Sequence, residues 1–528
     1  MNRRFLQFVA LCLIIVVGFA FRITKINAVL PYVAAVDEPI LTESASQIIR
    51  SGNLNPHFFN YPSLPVYITV VGFTVGFLWS ASKMEVKTTH DMGTFDYPYY
   101  SQQRIVFVAK FLFTLFSLVT LFLIGLIASK AFRDPDLLWI APMVLSFSGL
   151  FFLHSAGYLN VDIIGVSFSV ITVLYCIYSF SRTPTFANRV LIPGIYAGLA
   201  VASKYNMVPI VIPVMLLILF SEKKDVDNLH PGRTSWKLKY LLLFPLVSIA
   251  TFLIVVPFSY LDFPAFLNGV AHELYHYQSG HEGFTGTPGF PEFLFFCSKI
   301  ADEYGYTAAI IGVLGIGFAL KRDSRLAWLV VSYPAGLLIL MSLQAVNFIR
   351  NILGTIVFFS IFIAIGVVNL RRILARRMPA WVASLILIVV LTAGISWRNL
   401  ANAFYLTPDS RTLAMSWLLK NAPKGTTIFV PDELGMDSRK LDSDYHVITE
   451  SVTDPQNENE RTADFMIVPR FGSGGANLGQ KWMRIMTRLN EQYDGCQQTV
   501  QFGSQAVVLN SAEHSFPASD PLFRIAKK

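Results

Sequence analysis

Long apolar runs, broken by short polar connectors, organise this chain. Runs long enough to cross a bilayer cover 5–23, 104–129, 138–156, 161–180, 240–258, 326–343, 350–370 and 379–397, with a shorter one at 305–320; about 20 apolar helical residues span the hydrocarbon core. The run 191–220 is too long for one helix and carries Lys204-Tyr205-Asn206 in its middle. The run 63–82 begins Ser63-Leu64-Pro65 and is only marginally long enough. Residues 38–50 read as an amphipathic helix, because Leu41, Ala45, Ile48 and Ile49 fall on one helical face. Beyond about 399 the pattern turns polar. It predicts a helix over 407–421, strands over 426–431 and 464–469, a helix over 480–493 and a hairpin over 499–510 about Gly503-Ser504.

Composition agrees with the pattern. The 528 residues are 53% hydrophobic and only 14% charged, against about 25% charged in a soluble protein, so the chain is a polytopic membrane protein. Much of the net charge of +8 lies in the connectors, where Lys and Arg set orientation; it does not argue for nucleic acid. Four cysteines are too few for a disulfide framework, and no structural disulfide is expected. Met1-Asn-Arg-Arg followed by the first run resembles a signal peptide, but the run is too long and lacks a small-residue cleavage site. It reads as an uncleaved span with a cytoplasmic N-terminus.

The basic connectors then fix the topology. Lys130/Arg133, Arg182/Arg189, the 223–239 cluster, Lys321/Arg322/Arg325 and Arg371/Arg372/Arg376/Arg377 all belong in the cytoplasm. That parity requires 63–82 to lie along or dip into the outer face without crossing. It requires 191–220 to cross twice, as two short helices with Lys204 near the outer apex. The expected result is about eleven crossings with juxtamembrane helices over 1–398, followed by a small extracytoplasmic α/β domain over 399–528. Such a protein belongs in the cell (inner or plasma) membrane with its C-terminus outside. The loop 24–103, Asp162, Lys204, the loop 259–304, Arg350 and the tail all fall on this outer side.

Several ionisable residues there invite chemistry. Asp37 and Glu38 are adjacent acids just beyond the first span. Asp37 is also placed to be the N-cap of the helix over 38–50, with Pro39 in its first turn. Asp162 fits either a second active-site acid or a cap on the helix starting near Val161. Lys204 lies among apolar residues, where a charge is functional by default, although a snorkelling lysine fits the same position. Arg350 sits between two apolar runs and suits either a lipid phosphate or the interface. His272-Glu273-Leu-Tyr-His276 matches the H-E-x-x-H zinc-protease pattern, but His281 is out of register for the extended three-histidine form.

Taken together, these stretches resemble the GT-C fold glycosyltransferases of the dolichyl-phosphate-mannose–protein mannosyltransferase and bacterial aminoarabinose transferase group, over roughly 5–400. Asp37-Glu38 with Glu43 and Ala45 looks like the family's acid-pair motif in the first outer loop. Tyr61-Pro62-Ser63-Leu64 looks like its Pro-Pro-Leu segment, and 154–162 like the segment ending in a second acid. The stretch from Gly198 to Lys204-Tyr205 looks like its Gly–Lys-Tyr hairpin. His276-Tyr277 and Gly280-His281-Glu282-Gly283 look like the Gly-His-x-Gly loop of bacterial members. Two positions depart from the pattern: Ile40-Leu41 stands where aromatic residues are common, and Ser63 replaces the second proline.

The resemblance implies a sugar donor on a polyprenyl phosphate, an acceptor that is a protein, glycolipid or cell-wall polymer, and inverting transfer outside the cytoplasm. Asp37 is then the catalytic base, and Glu38 positions the acceptor or raises the pKa of Asp37, with Asp162 as second acid. Lys204, Tyr205, His281 and Arg350 are donor-phosphate candidates, because fixed cations stabilise a leaving phosphate. His276, Tyr277, Gly280 and Gly283 are loop candidates. No metal-ligand set is expected, and a divalent cation is left open as cofactor. Two other classes compete: a lipid or solute transporter or flippase, which would carry paired broken helices and internal repeats, and an intramembrane zinc protease using His272, Glu273 and His276.

Overall fold

A backbone inside a bilayer must satisfy its hydrogen bonds within its own segment, so the apolar runs become helices. The structure, a computed structural model, describes residues 3–33, 37–93, 100–222, 235–281, 283–394, 406, 408–431, 436, 441, 443–450, 463–470, 497–502 and 522–527. The chain begins with α1 (Arg3–Val29), α2 (Glu38–Ser51), α3 (Leu64–Ser82) and α4 (Gln103–Ala131). It continues through α5 (Leu137–Ser146), α6 (Gly149–Ala156), α7 (Val161–Phe180), α8 (Ile192–Ser203), α9 (Val211–Phe220) and α10 (Ser235–Val255). The short α11 (Phe258–Leu261) leads into α12 (Phe263–Ser279), α13 (Phe290–Tyr304), α14 (Tyr306–Arg322), α15 (Ser324–Ser342), α16 (Leu353–Leu374) and α17 (Ala380–Gly394). Among the described residues seven helices are long and apolar enough to cross a membrane, or up to nine if each of two bent pairs counts as one span.

The bends have local causes. The run 138–156 is not one straight span: α5 and α6 meet at 78°. Ser148 breaks it by capping α6 through the Phe151 amide, and a Glu303 carboxylate oxygen accepts from Ser148 Oγ at 2.6 Å and from the Leu150 amide at 2.7 Å. α13 and α14 meet at 111° around Gly305, whose φ of 88° is a left-handed conformation that glycine adopts without steric cost. The long run 191–220 breaks where expected, at Lys204, whose extended backbone (φ −156°, ψ 131°) separates α8 from a 3-10 turn over Tyr205–Ile210.

α3 packs antiparallel against the first part of α4. A methyl group on Gly72 or Gly76 would fall 2.7 and 2.6 Å from the Cα atoms of Ala109 and Ile105, so only glycine permits this approach. α16 runs through the centre of the bundle with most of its length buried. At the far end of α4, Asp134 draws three connectors together: it accepts from Arg372 at 2.6 Å and lies 3.7 Å from Arg322. Lys110 and Ala131, on the same helix, are therefore separated by about 30 Å at 1.5 Å per residue, close to a hydrocarbon core's thickness.

A second apolar core forms beyond the last long helix. Here α18 (Ser410–Asn421) packs Ala414 and Leu418 on a five-stranded sheet of order β2-β1-β3-β5-β4. β1 (Thr427–Pro431) pairs in parallel with β2 (His446–Glu450) and β3 (Phe465–Arg470), whereas β5 (Leu522–Lys527) runs antiparallel to β3 and β4 (Gln497–Phe502). β4, which overlaps the start of the hairpin expected over 499–510, pairs with β5; residues 503–510 of that hairpin lie outside the described residues. The helix expected over 480–493, the Gly503-Ser504 turn and Glu282 lie outside the described residues. The Asp409 amide donates to the Ala28 carbonyl at 3.0 Å, and the Arg411 guanidinium stacks 3.8 Å above the Tyr32 ring, tying α18 to the end of α1.

Candidate active site

Asp37 stands at the N-cap position of α2 but makes no side-chain cap there. Its Oδ2 instead lies 2.8 Å from an Arg350 guanidinium nitrogen and accepts from the Tyr61 hydroxyl at 3.5 Å. Pro39 in the first turn removes an amide that a cap would otherwise serve. Burial and the Asp37 charge push the Tyr61 phenol well up, so it stays a proton donor. Arg350 lies in a 3-10 turn (Ile349–Ile352) that begins α16, with its guanidinium 4.7 Å above the Phe348 ring.

Lys204 reaches the same place from the break after α8. Its ammonium donates to Asp162 at 2.5 Å and to Asn351 Oδ1 at 2.8 Å. Asn351 Oδ1 also accepts from the Tyr277 hydroxyl at 3.1 Å. Asp162 does not cap α7: Asn160 does, accepting from the Asp162 amide at 2.7 Å, which leaves the Asp162 carboxylate to hold Lys204. A buried ammonium needs such partners, because desolvation costs several kcal/mol, on the order of the Coulomb attraction that offsets it.

α12 supplies the third wall. Glu273, His276 and Tyr277 are spaced i, i+3, i+4 and share one face. Gly269, one turn earlier, is pressed against the Phe59 backbone, where a methyl would sit 2.8 Å away. Phe266 meets the Phe59 ring edge-on at 6.0 Å, and Tyr205 fixes the same loop by donating to the Phe59 carbonyl at 3.0 Å. α12 ends at Gly280, whose φ of 89° turns the chain back; Gly283 has a φ of 79° and also needs glycine. The returning segment pairs with 345–347 through Gly286 to Ala345 at 2.8 Å and Asn347 to Phe284 at 3.0 Å. This stacks the His281 ring on His276 (5.1 Å between centroids) and against Phe348 (5.1 Å).

These elements enclose one cavity of about 210 Å³. Asp37, Lys204, His276, Tyr277, His281 and Arg350 all line it, together with Tyr61, Glu273 and Asn351. Burial pushes the Glu273 carboxyl up to about 7, against the pull of Lys204 and with a further push from Asp37. Burial, with the neighbouring His281 and His272, holds the His276 imidazole below its ordinary value. The cavity therefore combines a carboxylate held by a guanidinium, a buried ammonium, and a carboxyl that titrates near neutrality.

Other expected site residues lie elsewhere. Glu38 does not line the cavity and is fully buried, accepting from Lys110 Nζ at 2.7 Å, the Tyr100 hydroxyl at 2.9 Å and the Leu159 amide at 2.7 Å. Asp162 is buried behind Lys204, and Tyr205 faces the Phe59 loop. His272 is exposed and is not part of the wall, so the H-E-x-x-H stretch presents only Glu273 and His276 to the cavity. Among the described residues no three His, Cys, Asp or Glu side chains are grouped to hold a metal ion. Neither Asn351 nor a cavity role for Glu273 is among the expectations from the sequence. Asn351 directly follows Arg350, and the i, i+3, i+4 spacing from Glu273 to Tyr277 was the available signal for the other.

No protein-family model matches the chain, and no curated protein matches its sequence. Its fold does match solved structures. The structure of ArnT from Cupriavidus metallidurans bound to undecaprenyl phosphate is similar with a TM-score of 0.50 at 11% identity, over 97% of each chain. The Archaeoglobus fulgidus oligosaccharyltransferase tethered with an acceptor peptide is similar with a TM-score of 0.50 at 12% identity, over 88% of this chain and 69% of that one. The chain thus has the GT-C fold of these membrane enzymes, as its motifs suggested.

Proposed function

We propose that this protein is a membrane glycosyltransferase that moves a sugar from a polyprenyl-phosphate donor to an acceptor hydroxyl on the extracytoplasmic face, with inversion. One observation carries the reading: Asp37, Arg350 and Lys204, drawn from three distant parts of the chain, meet on the wall of a single cavity. Undecaprenyl phosphate is what the structurally similar ArnT is bound to. The acceptor peptide on the archaeal enzyme bears on the kind of acceptor, without naming this chain's.

The chemistry follows from the donors and acceptors present. Asp37 takes the proton from the acceptor hydroxyl. The hydroxyl oxygen bonds to the anomeric carbon as the bond from that carbon to the phosphate oxygen breaks, and the bonding pair leaves with the polyprenyl phosphate. Arg350 and Lys204 face the charge that grows on the phosphate, where fixed cations contribute most. In this reading Arg350 turns partly from Asp37 to the phosphate, which unmasks the base. Asp162 and Glu38 are positioning residues: one orients Lys204, and the other anchors the first turn of α2 beside Asp37.

An apolar groove of about 580 Å³ supports a prenyl donor. It is lined by α13, α14, α15 and α16, including Ile300, Leu338, Thr355 and Phe359. Thr355 is one helical turn beyond Asn351, about 6 Å along the axis, so a phosphate at Arg350 lies within reach of a chain in the groove. The test uses purified protein in detergent with a labelled undecaprenyl-phosphate sugar and a membrane extract as acceptor source. The expected result is release of undecaprenyl phosphate that Asp37→Asn abolishes. Absence of release across a panel of donor sugars refutes the reading.

A further inference from the structure

The cavity holds polar groups that the proposed reaction does not use. Asp37 is engaged with Arg350, and Lys204 with Asp162 and Asn351. Glu273, by contrast, has no hydrogen bond or ion pair to any described residue, although it lines the cavity. Asn351 is buried, and both bonds to its Oδ1 orient the amide so that Nδ2 has no partner. His276 Nε2 is likewise buried and unpartnered. Buried polar groups without partners are uncommon and costly; two of them, on residues that line one cavity beside the half-buried and unpaired Glu273 carboxyl, point to an absent ligand with several hydroxyls.

We propose that Glu273, with Asn351 Nδ2 and His276 Nε2, forms the subsite that binds the hydroxyls of the donor's sugar and so selects which sugar is transferred. The inference rests on the glycosyltransferase reading. The placement suits a ring attached to a phosphate: Asn351 bonds Lys204 and adjoins Arg350 in sequence, so the subsite borders both cations. A carboxyl is the right chemistry because it accepts from two vicinal hydroxyls, and when protonated it also donates one bond. Glu273 titrates near neutrality because of its burial, so it can stand beside a phosphate with less repulsion than a fixed carboxylate. α12 is pinned by Gly269 against the Phe59 backbone, which keeps the carboxyl's position fixed relative to the cations.

The test compares wild type and Glu273→Gln for binding two kinds of probe in detergent: undecaprenyl phosphate alone, and undecaprenyl phosphate carrying glucose, galactose, mannose, N-acetylglucosamine or arabinose. Binding of the bare lipid is expected to match wild type, which also reports that the variant is folded. Binding of the sugar-bearing lipid that wild type prefers is expected to weaken about tenfold, the scale of one lost hydrogen bond to a charged or strongly polar group. Preference among the sugars should flatten. Unchanged affinity and ranking would overturn the subsite while leaving the donor reading intact. Equal loss for bare and sugar-bearing lipid would overturn it too, because Glu273 would then support the phosphate end. If wild type binds neither kind of probe, the donor reading itself fails and the subsite with it.

Discussion

Arg350 and Asp37 face each other at 2.8 Å although 313 residues separate them, and neither is fully buried. In the proposed reaction this pair would be the base and a phosphate-binding cation, in direct contact before any substrate arrives. Asp37→Asn keeps the side chain's shape but cannot take a proton. It is expected to lower transfer by about 10²–10⁴, the usual contribution of a general base, with donor binding retained. Arg350→Lys is expected to weaken donor binding, because a point charge does not reproduce the planar fork that holds two oxygens. Release of undecaprenyl phosphate and equilibrium donor binding, measured on both variants, separate the roles. Turnover by Asp37→Asn at the wild-type rate would remove Asp37 from the base role.

Two buried ion pairs predict losses of a different kind. Lys204→Ala leaves Asp162 uncompensated, and Glu38→Ala leaves Lys110 uncompensated; each should destabilise the fold by about 3–5 kcal/mol. Their activities should then diverge. Lys204→Arg is expected to recover stability in part and donor binding in part. The double change Glu38→Leu with Lys110→Met removes both charges, and is expected to recover most stability and a measurable share of transfer, since neither residue lines the cavity. Thermal unfolding monitored alongside transfer checks this. A stable but wholly inactive double variant would mean that Glu38 takes part in the chemistry directly.

Neither of these two pairs is legible in the sequence. The apolar runs, the break at Lys204 and the α12 loop were legible because each follows from a local pattern of hydrophobicity, glycine or proline. Asp37, Lys204 and Arg350, which line the cavity, stand out in the sequence because intramembrane or juxtamembrane charge is rare, whereas His276, Tyr277 and His281 follow from the family resemblance. The division of labour among the acids was not legible. Glu38 is held by Lys110, 72 residues away, and Asp162 by Lys204, 42 residues away; no local spacing reveals such partners. Glu273 falls within a zinc-site pattern, and only the packing of α12 on the Phe59 loop turns it toward the cavity.

A pH dependence follows from Glu273. Its folded value of about 7 lies above the ordinary 4.5, so the fold favours the protonated carboxyl. That contribution to stability is complete below about 4.5 and is lost as pH rises through about 7. The groups facing Glu273 are Asp37 from α2's start, Lys204 and Tyr205 from the α8 break, Tyr61, Arg350, and Tyr277 on α12 itself. His276 shifts in the opposite sense, so wild type alone mixes the two effects. The difference between wild type and Glu273→Gln isolates the carboxyl. Raising the pH from about 5 to about 8 should lower the wild-type unfolding temperature relative to that variant. A constant difference across the range would show that Glu273 titrates as an ordinary exposed acid.

The last prediction concerns which side of the membrane the cavity occupies. Lys110 marks its level on α4, since Glu38 adjoins Asp37 and bonds Lys110. The Asp134 cluster of basic connectors lies about 30 Å further along that helix. Basic connectors are retained in the cytoplasm, so the cavity should open on the opposite face. α3 is long enough to span by composition, yet its glycine contacts are with Ile105 and Ala109, on the cavity side of α4. It should therefore leave 83–102 on the same face as Asp37. Single cysteines at Lys87, Ser279, Ser416 and Ser324, all exposed, test this in a background lacking the four native cysteines. In intact cells a membrane-impermeant thiol reagent should label the first three and spare Ser324→Cys until the membrane is opened. Protection of Lys87→Cys with labelling of Ser279→Cys would mean that α3 crosses. Labelling of Ser324→Cys alone would place the cavity in the cytoplasm and overturn the extracytoplasmic assignment.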